Sequence, residues 1–210
     1  MIRRDADRRE ETSRVEAFSD GVFAIAMTLL ILEIRTPEHV EPGALPAALF
    51  ALWPSYLAFL TSFFTIGVMW MNHHRLFNLI GQSDQGLLIA NLLLLLCVTF
   101  IPFPTAVLAR FLGHSDANVA AVLYNAVFLC SALAFQLLWR HASGEKRLLE
   151  KDSDPESVRA ITRQYRFGPL LYLALIVIAF LTPTTSLLLN LAIAVFFALP
   201  SGWFRRRRSA

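Results

Sequence analysis

From Phe167 to Phe204 the chain runs for 38 residues without a charged side chain. Such a segment is shaped for hydrocarbon rather than water. Roughly 20 apolar residues at 1.5 Å rise cross a ~30 Å bilayer core, so this stretch is too long for one crossing and long enough for two. Leu181-Thr-Pro-Thr-Thr-Ser186 supplies the turn between them. Pro42–Asn72, Gln85–Ala109 and Ala117–Trp139 are likewise uncharged and read as spanning helices. Gly21–Leu32 is shorter, between Asp20 and Glu33. No small-x-small cleavage site follows it, so it reads as a first spanning helix rather than a signal peptide. Only 17% of the residues are charged, against about 25% in soluble domains.

These segments predict an all-α polytopic membrane protein. Its six helices are expected at about 15–34, 45–78, 84–112, 117–140, 164–182 and 185–204, making one transmembrane domain over 15–204. Pro54 is expected to kink the second helix, and Pro102 and Pro104 to bend or end the third. Residues 1–14 and 205–210 read as basic tails, and 140–166 as a solvated connection.

Charge placement sets the orientation. Six spans put the N-terminal tail, the 79–84 turn, the 140–166 loop and the C-terminal tail on one side. These segments, with Arg75 at the helix end that leads into the turn, carry five, one (Arg75), seven and four of the Lys and Arg residues, 17 of the 19 in the chain, and leave Arg35 and Arg110 opposite. The positive-inside rule then places both termini in the cytoplasm. The Arg205–Arg208 run reads as an anchor to anionic lipid headgroups. The basic tracts flank helices and lack stacking aromatics at a recognisable spacing, so nucleic acid is not an expected partner.

Chemistry concentrates in Arg14-Val-Glu-Ala-Phe18-Ser19-Asp20-Gly-Val-Phe-Ala-Ile25-Ala-Met-Thr28-Leu29-Leu-Ile-Leu32-Glu33. On a helix, Ile25, Leu29 and Leu32 form one stripe, Thr28 borders it, and Phe18 and Gly21 extend it. Leu30 lies about 100° around from Leu29 and is expected to behave as an off-stripe position. The stripe fits pore lining or plain lipid contact. Asp20 falls roughly opposite, with Glu16 and Met27. A carboxylate at membrane depth usually faces a partner or water; Asp20 with Ser19 fits either a helix-start cap or a buried network. A second polar cluster, Trp70, Asn72, His73, His74 and Arg75, falls at the same depth late on the second helix, which makes a link from Asp20 to Trp70 or to His73 reasonable.

Adjacent histidines point about 100° apart on a helix, so no metal site is expected at His73 and His74. Cys97 and Cys130 lie in apolar segments and read as packing residues. The chain has no His-Glu-x-x-His, Gly-x-Ser-x-Gly or Walker sequence, and so no sign of an enzyme.

Arg14-x-x-x-Phe18-Ser19-Asp20, continued by Gly-Val-Phe-Ala-Ile-Ala-x-Thr-Leu-Leu, resembles the first-helix signature of the transmembrane protein 175 potassium channels. Trp70-x-x-His73-His74-Arg75-x-Phe77, Asn91-Leu-Leu and Pro102-Phe103-Pro104 are also similar. The resemblance is good over helices one to three and a matter of pattern over helices four to six. It implies a cation channel without a Thr-Val-Gly-Tyr-Gly filter. It further implies a homotetramer of the single-repeat prokaryotic form, multi-pass in the cell membrane. First helices would surround the pore, with Ile25, Leu29 and Leu32 as the constriction and Thr28 as a polar layer. Arg14, Phe18, Ser19, Asp20, Trp70 and His73 would hold the helices together. Potassium is then the permeant ion, membrane lipid and other copies of the chain are the partners, and no cofactor is expected. Glu33 would stand near the external mouth, as a cation-concentrating group or a solvated helix end.

The rival class is a proton-coupled secondary transporter relaying through Asp20 and His73. Internal repeats and broken midplane helices mark such proteins, and neither is evident. A structural or chaperone-like membrane subunit would explain the helices but not the Asp20 signature.

Overall fold

The computed structural model describes residues 2–144, 148–150 and 153–198. They form eight α-helices: α1 Ile2–Leu29, α2 Leu45–Ala51, α3 Trp53–Phe77, α4 Gln85–Phe100, α5 Pro102–Phe111, α6 Ala117–Ser143, α7 Pro155–Leu181 and α8 Pro183–Ala198. A 3-10 turn, Leu30–Glu33, prolongs α1. Glu10–Glu33, Trp53–Phe77, Gln85–Phe111, Ala117–Ser143 and Pro155–Leu181 are five helical stretches long and apolar enough to cross a membrane, and Pro183–Ala198 is a shorter apolar helix. Residues 199–210 of the expected sixth span and basic tail, the Arg205–Arg208 anchor among them, lie outside the described residues.

Local chemistry moves several boundaries from where apolar runs put them. Helix α1 begins at Ile2, so residues 2–14 are helical rather than an extended tail; the Arg, Glu and Ala of this segment are good helix formers despite their polarity. Pro54 stands in the first turn of α3, and Leu52 (φ −77°, ψ 7°) separates α2 from α3. The proline therefore starts a new helix instead of kinking a long one, as its missing N–H allows at N1. Pro102, expected to bend or end the third helix, follows the end of α4 at Phe100 and opens α5. Asp154 caps α7, its carboxylate accepting from the Glu156 and Ser157 backbone N–H groups. That cap draws residues 155–163, expected in the solvated loop, into the helix. Bonds from the Ser157 hydroxyl and then from backbone N–H groups hold the Asp154 carboxyl below the usual range, so this end of α7 loosens only as pH falls through that lowered value. Thr182 alone separates α7 from α8, and Pro183 opens the latter.

Helix α6 packs against α4 and α7, α8 fits against α3 and α7, and α1 lies on α3 and α4. Aromatic and branched side chains such as Trp139, Tyr124, Phe128, Ile66 and Leu94 fill the centre. Two groups of polar side chains join helices inside this core. Asn125 donates to Ser186 Oγ (3.0 Å), Asn190 donates to Asn125 Oδ1 (2.9 Å), and Ser186 Oγ donates to the Leu175 carbonyl (3.0 Å), which ties α6, α7 and α8 together. Ser62 meets Thr105 Oγ1 at 2.8 Å and Tyr124 OH at 3.0 Å, linking α3, α5 and α6. Hydrocarbon offers no competing hydrogen bonds, and such interhelical contacts specify how helices dock once inserted. At the end of the bundle holding the α3–α4 turn, Gly81 N donates to the Leu148 carbonyl and Glu150 N to the Leu79 carbonyl, both at 2.9 Å. Asp84 caps α4 at Leu87 N and also meets His141 Nε2 at 2.8 Å.

Candidate functional site: the first helix and its supports

Helix α1 has three distinct faces. Thr12, Ser19, Phe23, Ala26 and Leu30 are buried, following a helical spacing that marks the face docked on α3 and α4. Phe18, Ile25, Leu29 and Leu32 are 61%, 59%, 43% and 68% exposed. At 100° per residue they lie roughly 120° around from the docked face. A third line, Ala17, Gly21, Ala24 and Thr28, carries only small side chains, all exposed, and an added Cβ on Gly21 would meet nothing within 4 Å. Arg14 is exposed as well. The expected stripe thus stands free of its own chain. Thr28 Oγ1 donates to the Ile25 carbonyl at 2.9 Å, which commits its hydrogen and leaves oxygen lone pairs to face outward.

Leu30 lies off the stripe, and it is 0% exposed, locked into the core. Periodicity separates faces but cannot tell which of them neighbouring helices cover. Leu30→Asn therefore strands an amide in an apolar core at a cost of roughly 2–5 kcal/mol. The expected outcome is loss of assembled protein by size-exclusion chromatography, where an off-stripe lipid position would have been tolerated.

A directional chain of hydrogen bonds secures the docked face. His73 Nε2 bonds Asn91 Oδ1 at 2.9 Å, Asn91 Nδ2 donates to Ser19 Oγ at 2.9 Å, and Ser19 Oγ donates to the Val15 carbonyl at 2.8 Å. With the Asn91 amide nitrogen engaged by Ser19, its oxygen is the acceptor, and His73 carries its hydrogen on Nε2. Phe23 and Phe77 pack on the His73 ring at centroid distances of 5.4 and 4.4 Å, and His73 Nδ1 has no hydrogen-bond partner among the described residues.

Toward the surface, Trp70 Nε1 donates to Asp20 Oδ1 at 2.9 Å, and His74 Nδ1 meets Glu16 Oε1 at 2.7 Å. Of the two partners considered for Asp20, the structure places Trp70 against it and turns His73 to Asn91. Asp20 sits in the middle of α1 rather than at its start, which removes the helix-cap reading. Asn91 is the member of this group that site reasoning from sequence passed over. An amide in the otherwise apolar run Gln85–Ala109 was its signal. Among the described residues no cluster of three or more His, Cys, Asp or Glu side chains could hold a metal ion.

A polar lock between α1, α3 and α4 thus presents an uncovered apolar face of α1. The family model of the endosomal/lysosomal potassium channel TMEM175 matches residues 14–102, the segment that holds this lock. A potassium channel of Chamaesiphon minutus is 52% identical over 199 residues, covering 94% of this chain and 98% of the relative. The chain belongs to the TMEM175 family. A potassium channel of Streptomyces collinus is 43% identical over 89% of this chain and 91% of its own. The crystal structure of a lysosomal potassium-selective TMEM175 homolog from Chamaesiphon minutus superposes with a TM-score of 0.83 at 50% identity, covering 90% of this chain and 97% of that one. TMEM175 proteins are multi-pass membrane ion channels rather than enzymes.

Proposed function

We propose that this TMEM175 protein is a homotetrameric, potassium-selective leak-type channel of a prokaryotic cell membrane, its pore lined by α1. The observation that carries the proposal is the free face of α1, where Phe18, Ile25, Leu29 and Leu32 stand exposed while the opposite face is tied to α3 and α4 by Ser19, Asp20, Asn91, Trp70 and His73. One helix cannot enclose an aqueous path. At about 10 Å per helix, three to five copies are needed for a narrow pore, and the family resemblance selects four. The small line Ala17-Gly21-Ala24-Thr28, beside the bulky one, lets a neighbouring α1 approach closely.

In such a ring Ile25, Leu29 and Leu32 form layers of like side chains. An apolar constriction gives water and ions no replacement for their hydrogen bonds, so it empties when narrow and fills when the helices splay. Thr28 supplies the polar layer: its hydroxyl hydrogen is held by the Ile25 carbonyl, and its oxygen replaces part of a cation's hydration shell. Potassium releases that shell more readily than sodium, and the discrimination is weak because the layer is sparse. Potassium is the permeant ion and no cofactor takes part. The name of the crystallised relative, a potassium-selective channel, supports the same ion for this chain. A proton relay through Asp20 and His73 has less support, since Asp20 is bonded to Trp70 and His73 to Asn91.

The reading includes six spans, with α8 and the residues beyond it as the sixth, over a domain of residues 15–204, and both termini in the cytoplasm. Topology tags at residues 1 and 210 are expected to report the cytoplasmic side and a tag near Pro42 the outside; termini on opposite faces would exclude six spans. Native mass spectrometry from mild detergent tests the assembly. Tetramers are expected, and monomers alone under gentle conditions would overturn the proposal.

A further inference from the structure

Away from α1, a cavity of about 350 Å³ opens between α3, α6, α7 and α8. Its wall runs along α7 from Gln164 to Tyr172, about 12 Å at 1.5 Å per residue, most of the ~15 Å depth of one leaflet's hydrocarbon. Phe128, Phe135, Tyr172 and Ala194 line the interior, and Phe167 and Phe197 flank it; the first four are not exposed on the outer surface, whereas the flanking pair are.

Four of the polar side chains in the wall are already engaged. Thr65 Oγ1 donates to the Thr61 carbonyl, Ser131 Oγ to the Val127 carbonyl, Asn190 Nδ2 to Asn125, and Gln164 Nε2 to Asn72 Oδ1. A polar ligand would find little to bond with, whereas an apolar cavity of this size beside a bilayer takes up hydrocarbon rather than water. One end of the cavity is marked by charge. Gln164 and Asn72 line that end, and Arg163, next to Gln164 on α7, and Arg75, one turn beyond Asn72 on α3, are exposed, with no ion pair to either among the described residues. Arg75 is within electrostatic range of the Tyr165 hydroxyl in the cavity wall.

We infer that this cavity holds one acyl chain of an anionic phospholipid, whose phosphate lies against Arg163 and Arg75. The headgroup then sits in the leaflet that the proposed topology makes cytoplasmic. The bound chain fills space between α7 and α8 on one side and α3 on the other, so the lipid acts as a packing element on the side of α3 away from α1.

Photolabelling tests the site without reference to ion current. The full-length protein is reconstituted with phosphatidylglycerol carrying a diazirine on its acyl chain, or with the phosphatidylcholine analogue, and labelled residues are mapped by mass spectrometry. Labelling of Phe128, Phe135 or Tyr172 by the phosphatidylglycerol probe is expected, because a lipid outside the bundle cannot reach them. R163Q should reduce it about fivefold, the typical contribution of one arginine near an anionic surface. It is a surface change that leaves the core intact. Ala132→Phe, which fills the cavity, should abolish interior labelling. Label confined to Phe167, Leu170 and Phe197 would overturn the site, and equal labelling by the two headgroups would overturn its charge selectivity. A wild-type protein that labels as expected but carries no current would leave this inference standing while the channel proposal fell.

Discussion

Ile25→Asn is expected to raise resting conductance roughly tenfold or more and to weaken preference for potassium over sodium. Ile25 is 59% exposed on a helix whose docked face is fixed. Four isoleucines facing one another would leave a gap in which a water column has no hydrogen-bonding walls. Asparagine is slightly smaller and brings an amide to each wall, so water stays in the gap and an ion passes without losing its shell. Removing about 1.4 kcal/mol of barrier gives a tenfold rate, and an amide ring is expected to remove at least that. The same ring accepts any small cation, so selectivity falls as current rises. Leu29→Ala should act in the same direction and less strongly, since it widens without wetting. Leu170→Asn on α7, a position equally exposed at 59%, supplies the control: it faces lipid and should leave single-channel current unchanged. Equal effects at Ile25 and Leu170 in planar bilayers would mean that α1 does not line the path.

Asn91→Leu is expected to have the largest effect on assembly. Asn91 bridges His73 and Ser19, accepting from one and donating to the other. Leucine matches its size but leaves the His73 Nε2–H unsatisfied in the core and removes the donor to Ser19 Oγ, whose own bond to the Val15 carbonyl remains. The stranded group costs about 1–3 kcal/mol, a sizeable part of what holds a typical domain folded. Asp20→Ala should be milder, because Asp20 and its partner Trp70 are only partly buried and water can replace the bond. The yield of tetramer after detergent extraction distinguishes the two. If Asn91→Leu assembles as well as Asp20→Ala, the bond chain does not hold α1.

The reach of the sequence follows the range of the interactions involved. Spanning segments are legible because a charge-free run of bilayer length has few alternatives. The free stripe of α1 is legible because a 3.6-residue period labels faces without reference to neighbours. Pro54, expected to kink a helix, instead stands in the first turn of one, because a proline satisfies the first turn better than the middle of one; Pro102, expected to bend or end the third helix, follows the end of α4 and opens α5. The early start of α7 depends on two backbone bonds to Asp154, a local signal outweighed by the charge of its surroundings.

Long-range partners were hidden for a different reason. Asn125, Ser186 and Asn190 meet across 61 and 65 residues of chain, and no spacing rule reaches that far. Leu30 is legible as an off-stripe position, but its burial is not, because only the docking of α1 on α3 and α4 decides which flank is covered. For Asp20, one hydrogen bond from Trp70 chose between two partners that the sequence put at the same depth.

Reversal potential under bi-ionic conditions tests the central claim most directly. With equal potassium and sodium on opposite sides of a planar bilayer containing the purified wild-type protein, the current should reverse at a voltage displaced toward the potassium equilibrium, by about 59 mV for each tenfold of selectivity. A current reversing at zero, or the absence of any potassium current from well-assembled protein, would contradict a potassium-selective channel.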